Sequence, residues 1–399
     1  MEVAYTAAAS SGLRASEALT AGHPDKLCDC IADAVLQACL VSDPDTQASV
    51  DVCTKTGMVM LLGEITTKAM QVDLEEVVRS TVKSAGYDSQ DKGLDWRTMN
   101  IIIAVEREGA SLAQVLTPLG VSQSTALPNV YACDGYATSE TPEFMPFSQV
   151  LAARLAERLD FVRENKTLPW VWPSGRVLVA VEFKASDGCL KPSRIHSVSM
   201  AVQHGPEANQ EQLEKELRLH VFDPVVPSDL CDAMTSFQVV SASLKLGALA
   251  GRSSDSGQSG RTLNADTYGG WAPAPASTAS GRDGAKLERS GLYGARWAAR
   301  SLVAQGLCKR CHVHVSYSPQ STIPPTAVHV NSFSSATAGR TDSQLAEIVA
   351  RNFNFSPVSL REELRMHVSW QPLQFTKYGH FGRADPESAV WETAKELRC

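Results

Sequence analysis

One pattern recurs in each third of the chain and limits what it can fold into: a helix-spaced apolar run accompanied by strand-like runs. In the first third, residues 25–40 put Leu27, Ile31, Ala34, Val35 and Ala38 on one face, with Asp25, Asp29 and Asp33 on the opposite one. Pro24, just ahead, suits a helix start. Residues 48–53 and 57–65 alternate as strands and read as a hairpin through 54–56. An amphipathic helix over 73–85 and a buried strand over 99–105 follow. The middle third predicts a helix over 147–164, strands over 176–183 and 196–203, and a helix over 209–221. The last predicts a helix over 289–305 and strands over 312–317 and 327–331. The fold class is therefore α+β: three related units by pattern, each a sheet covered on one face by helices, without a strict sequence repeat.

The boundaries drawn from this are a poorly ordered leader over 1–15, an N-terminal domain over 16–112, a central domain over 113–245 and a C-terminal domain over 246–399. Residues 111–128, 251–259 and 272–280 are rich in Gly, Ser, Ala and Pro and read as loops or lids, with 113–128 as a gating-like loop. A length of 399 residues suffices for several domains. The net charge of −7 argues against a nucleic-acid-binding surface, so any anionic ligand needs a local cluster of cations. Apolar runs such as 101–105 are far shorter than the roughly 20 residues of a membrane span. The N-terminus lacks a basic region followed by an apolar block, which points to a cytoplasmic protein. Ten cysteines, with one CxxC at Cys308 and Cys311 and no second pair, fit reduced thiols better than a metal site.

Four blocks stand out: S16-E-A-L-T-A-G-H-P-D-K-L-C-D29, K55-T-G-M-V-M-L-L-G-E-I-T-T67, R261-T-L-N-A-D-T-Y-G-G270 and Y378-G-H-F-G-R383. G135-Y-A-T-S-E-T-P-E143 and L168-P-W170 lie between them. In this order the blocks resemble the S-adenosylmethionine synthetase family over roughly residues 16–392. The resemblance implies three pseudo-repeated α+β domains and a homodimer, or a hetero-oligomer with a paralogue. It also implies two Mg²⁺ ions, K⁺, ATP and L-methionine.

In the family's reaction the methionine sulfur attacks the ribose C5′ of ATP and expels the triphosphate, which is then hydrolysed. A thioether carries no proton, so the first step needs no base; it needs proximity and neutralisation of a highly anionic leaving group. By spacing alone, His23-Pro24-Asp25-Lys26 is a capped helix start. With the resemblance it becomes an anion site, with His23 and Lys26 facing triphosphate and Asp25 a hard ligand for Mg²⁺. Asp255, Arg261, Arg282 and Lys286 are implied at the triphosphate, and His23, Lys26, Arg261 and Lys286 as catalytic. Glu64, Glu108 and Asp255 are implied at methionine, and Asp51 and Glu288 as further metal ligands.

Several of these depart from the family pattern. Asp51 replaces a potassium-site glutamate, Arg282 a lysine, Glu288 an aspartate and Glu108 a glutamine. Thr262 stands where a second cation follows the arginine, and Ser174 where a carboxylate belongs. Gly247 takes the place of an aromatic residue. Asn129 falls at a methionine-contacting aspartate in ungapped register, and a gap would bring Asp134 there instead. Phosphate and metal groups are thus mostly kept, while methionine and adenine contacts are altered. Three readings follow: a diverged synthase, a catalytically degenerate partner of an active synthase, and a synthase-fold protein that binds ATP for another reaction.

Overall fold

A computed structural model describes residues 12–109, 132–186, 189–241, 256–318, 325–367, 370–382 and 389–399. It contains three principal sheets, matching the three expected units, but none is drawn from one third of the chain. The first has the order β11-β2-β3-β6, from Gly257–Gln258, Gln47–Lys55, Met58–Thr66 and Asn100–Glu108. The second, β1-β8-β9-β10, joins Gly12–Leu19 to Val171–Ser186, Cys189–His204 and Ser236–Ser241. The third, β13-β12-β7, joins Ala327–Asn331 and Arg310–Ser316 to Ala132–Thr138. A short hairpin of β4 (Asp88–Ser89) and β5 (Leu94–Asp95) lies apart.

Each principal sheet therefore borrows a strand from another third of the chain. Residues 12–15, expected to end an irregular leader, are strand: Gly12 pairs with Phe183 and Ala15 with Ala180. Burial follows the same logic. The first and third units share one continuous core, in which Leu27, Val50 and Leu61 join Val313, Leu345 and Trp391. The middle unit has its own core of Leu155, Val179, Met200 and Leu213.

Among the described residues, the α-helices of seven residues or more are α1 (Pro24–Ser42), α2 (Leu74–Ser84), α3 (Phe147–Glu164), α4 (Gln210–Leu217), α5 (Leu287–Ala304), α6 (Asp342–Asn352) and α7 (Pro357–Glu363). Helix α2 starts where Asp73 accepts from the N–H groups of Glu75 and Glu76 at 2.9 and 3.2 Å, and it buries Leu74, Val78 and Val82. Helix α6 is opened by a capping box between Thr341 and Gln344.

Three expectations are corrected. The strand read as buried at 99–105 is β6, an edge strand with Ile102 44% exposed, because only β3 pairs with it among the described residues. Helix α1 is not amphipathic against solvent: Asp29 and Asp33 on its acidic face are as buried as Leu27 and Ile31 on the other. Residues 278–280, read as part of a lid, are buried, with Gly281 packed against α1. No helix among the described residues is long and apolar enough to cross a membrane. The ten cysteines are all free thiols.

Candidate functional site

The segment entering α1 is held from several sides before any ligand is considered. Thr20 Oγ1 donates to Pro173 O at 2.7 Å and accepts from Gly175 N at 2.8 Å. Ala21 N donates to Asp160 Oδ2 at 2.8 Å, and the Tyr87 hydroxyl donates to Gly22 O. A Cβ at position 22 would lie 2.4 Å from Pro173 Cβ, so only glycine lets the segment pass. His23 then caps the helix: its backbone is extended, and its Nδ1 accepts from Asp25 N at 3.3 Å.

That hydrogen bond assigns the imidazole. An Nδ1 that accepts leaves the proton of the neutral ring on Nε2, where it can be donated onward. Burial pushes the His23 pKa down to about 3, aided by the positive charges of Arg176 and Lys26. His23 is therefore neutral at neutral pH, and its 3.9 Å approach to Asp25 is not an ion pair. Asp25 Oδ1 accepts from Gln258 N at 3.0 Å and lies 3.7 Å from Arg261 Nη1, whose side chain is 45% exposed. Arg261 also donates to Ser256 O at 2.6 Å.

Behind this entrance lies a buried charge network. Lys26, 1% exposed, pairs with Asp266 and lies 3.5 Å from Asp29. One cation serves two carboxylates here. Asp29 is pushed up to about 7, first by burial and then by the like charges of Asp266 and Asp33, against the pull of Lys26. Asp29 also accepts from Gly260 N at 3.1 Å, and Thr262 donates to Asp266 Oδ2 at 2.7 Å. One turn on, Asp33 accepts from Arg289 Nη2 and Thr376 Oγ1, both at 2.5 Å, and from Gly281 N at 2.8 Å. His380 N donates to Asp266 O at 2.8 Å, and Tyr378 donates to Asp160 at 3.1 Å. Three of the four sequence blocks, hundreds of residues apart, thus meet around the first two turns of α1.

The remaining expected residues are distributed as follows. Arg282 does not point to open space: Nη2 donates to both carboxylate oxygens of Asp51, at 3.0 and 3.1 Å, and Nη1 to Val50 O at 2.9 Å. Gly281 makes this possible, with φ +72° and Val50 O where a Cβ would be. Two residues expected in separate triphosphate and metal roles are therefore one ion pair. Glu64 is exposed on β3, opposite Ser49, and Glu108 closes β6 opposite Thr66. Lys286 is the N-cap residue of α5 and half-buried. Glu288 is buried in the first turn of α5, and its charge helps raise the pKa of the buried Cys133 on β7. Asp255, Asn129, Gly247 and the gating-like loop lie outside the described residues.

Sequence reasoning did not anticipate Asp29, Asp33 and Asp266 as buried partners. The available signal was the i, i+3, i+7 spacing of Lys26, Asp29 and Asp33, which aligns all three on one helix face. Asp134 is on β7, hydrogen-bonded to His312 and His314.

Comparison with known families assigns all three segments of the chain to one family. Residues 11–110 match the S-adenosylmethionine synthetase N-terminal domain, residues 132–243 its central domain and residues 249–393 its C-terminal domain. Three consecutive domains of one kind of enzyme cover nearly the whole chain, in order. The chain belongs to the S-adenosylmethionine synthetase family.

Proposed function

We propose that this chain is a methionine adenosyltransferase that forms S-adenosylmethionine, phosphate and diphosphate from ATP, L-methionine and water. The observation that carries this reading is the convergence of neutral His23, Asp25 and half-exposed Arg261 at the first turn of α1. The helix N-terminus attracts an anion, the His23 Nε2–H donates to a phosphoryl oxygen, and Arg261 supplies a delocalised positive charge. These groups stabilise the leaving triphosphate, which is where the reaction's charge develops. Lys26, already matched by Asp266 and Asp29, acts behind them as a positioning residue rather than as a phosphate ligand.

Asp25 suits Mg²⁺: it is a carboxylate at the anion site, and Mg²⁺ is commonly held by one or two carboxylates plus substrate phosphates. When bound, that ion would supply charge neutralisation on the triphosphate. K⁺ does not fit at Asp51, because Arg282 already occupies both of its oxygens. Methionine is assigned to the side of Glu64 and Glu108. We assign a homodimer interface to the outer face of the first sheet, where exposed Ile102 and Ala104 lie beside half-buried Met60 and Leu62.

A second reading, the catalytically degenerate partner of an active synthase, has its own observation. Lys26 and Arg282, two cations expected at the triphosphate, are both ion-paired within the chain. One assay separates the two: purified protein with ATP, methionine and Mg²⁺, with and without His23→Ala or Arg261→Ala. S-adenosylmethionine that disappears in both variants supports the synthase. Neither product nor ATP binding by the unaltered protein leaves the partner reading. ATP cleavage without that product indicates a different acceptor.

A further inference from the structure

The outer face of the third sheet gathers a set of side chains that the proposed triphosphate site at the first turn of α1 does not use. Strand β12 reads Arg310-Cys311-His312-Val313-His314-Val315-Ser316, and its period-two alternation sends Cys311, Val313 and Val315 into the core. His312 and His314 therefore share the opposite, half-buried face. On β7, Asp134 stands directly across from His314 in the antiparallel register. The carboxylate lies between the two rings: Asp134 Oδ1 is 2.7 Å from His312 Nε2 and 2.7 Å from His314 Nδ1. On the other side, β13 places His329 opposite His314 and Asn331 opposite His312.

We propose that Asp134, His312 and His314 form a binding site for one first-row divalent transition-metal ion of the zinc class. The three donor atoms all lie within 4.8 Å of one another. An ion about 2.0–2.2 Å from each donor needs only a small outward movement of the rings from their present hydrogen-bonded positions. Each neutral imidazole would move its proton to the far ring nitrogen, so binding exchanges two N–H···O bonds for three metal–ligand bonds. Two imidazoles and one carboxylate favour zinc-like ions over Mg²⁺, which prefers an all-oxygen shell. Three protein ligands at a half-exposed face leave the remaining coordination for water or a small anionic ligand.

The strands also hold the ligands rigidly. His312 and His314 are alternate residues of the central strand of their sheet, and Asp134 is fixed by the β7–β12 ladder.

The test is a titration of untagged, chelator-stripped full-length protein. Zn²⁺ would be followed by calorimetry and Co²⁺ by its visible absorption, both in excess Mg²⁺. One ion per chain is expected, undisturbed by Mg²⁺. Asp134→Asn, His312→Gln and His314→Gln should each weaken binding by at least about tenfold with unchanged circular dichroism, whereas His196→Gln on β9 should leave it intact. Failure of the unaltered protein to bind Zn²⁺ would overturn the assignment. So would full-strength binding by the Asp134→Asn/His314→Gln double variant, which would place the ion on the thiols. Neither result bears on adenosyl transfer, which is read from a different assay.

Discussion

Lys26 shows what a motif means once its surroundings are known. In the sequence it is a cation beside a helix start, which suits a phosphate; in the fold it is the counter-charge of Asp266 and Asp29. Lys26→Met should leave two buried carboxylates uncompensated and cost about 3–5 kcal/mol in urea denaturation. Normal stability with lost ATP binding would instead make Lys26 a direct ligand. His23 gives a pH signature. Its pKa is about 3 in the folded chain against 6.5 for a free imidazole, so between those values the unfolded chain binds a proton that the folded chain refuses. Stability from this group is complete above about 6.5 and falls as the pH drops toward 3, by up to about 1.4 kcal/mol per pH unit. Thermal melts of His23→Gln between pH 6.5 and 4 should show a shallower decline than the unaltered chain, and equal slopes would contradict the assignment.

At the scale of elements, helix α1 carries most of the lesson about reading such a sequence. Its apolar face, its Pro24 start and its length were evident from the 3.6-residue period, as were α2 and α3 from theirs. Its acidic face was misread, because a period tells which residues differ from their neighbours and not what covers them. Burial of Asp29 and Asp33 depends on Gly260, Gly281, Arg289 and Thr376, all more than 200 positions away. The metal-site proposal had the same limit: H-x-H on β12 was readable, but its partner Asp134 follows only from the β7–β12 register. Asp33→Ala should strand Arg289 in the core and cost about 3–5 kcal/mol, checked by chemical denaturation. Asp33→Asn, which keeps the shape and two acceptor sites, should cost less.

For the whole molecule, the proposed homodimer rests on the exposed outer face of the first sheet. Its edge strand β6 presents Ile102, and beside it lie Met60 and Leu62 of β3. Ile102→Glu should shift the protein from dimer to monomer in sedimentation velocity, with far-ultraviolet circular dichroism unchanged. A dimer that survives the substitution would mean the subunits meet elsewhere. The strand exchange among the three sheets has a consequence for synthesis on the ribosome. When residue 241 has just emerged, β2 still lacks β11, β7 lacks β12, and the core around Leu27 and Val50 lacks every contribution from α5 onward. Only the middle unit, with β1 already made, can close early. A nascent chain stopped at residue 241 should therefore protect its middle segment from protease and leave residues 24–108 open to cleavage. The residues proposed to hold the triphosphate, His23, Asp25 and Arg261, thus cannot meet until residue 261 has been made, and their buried support from Arg289, Thr376 and His380 comes later still.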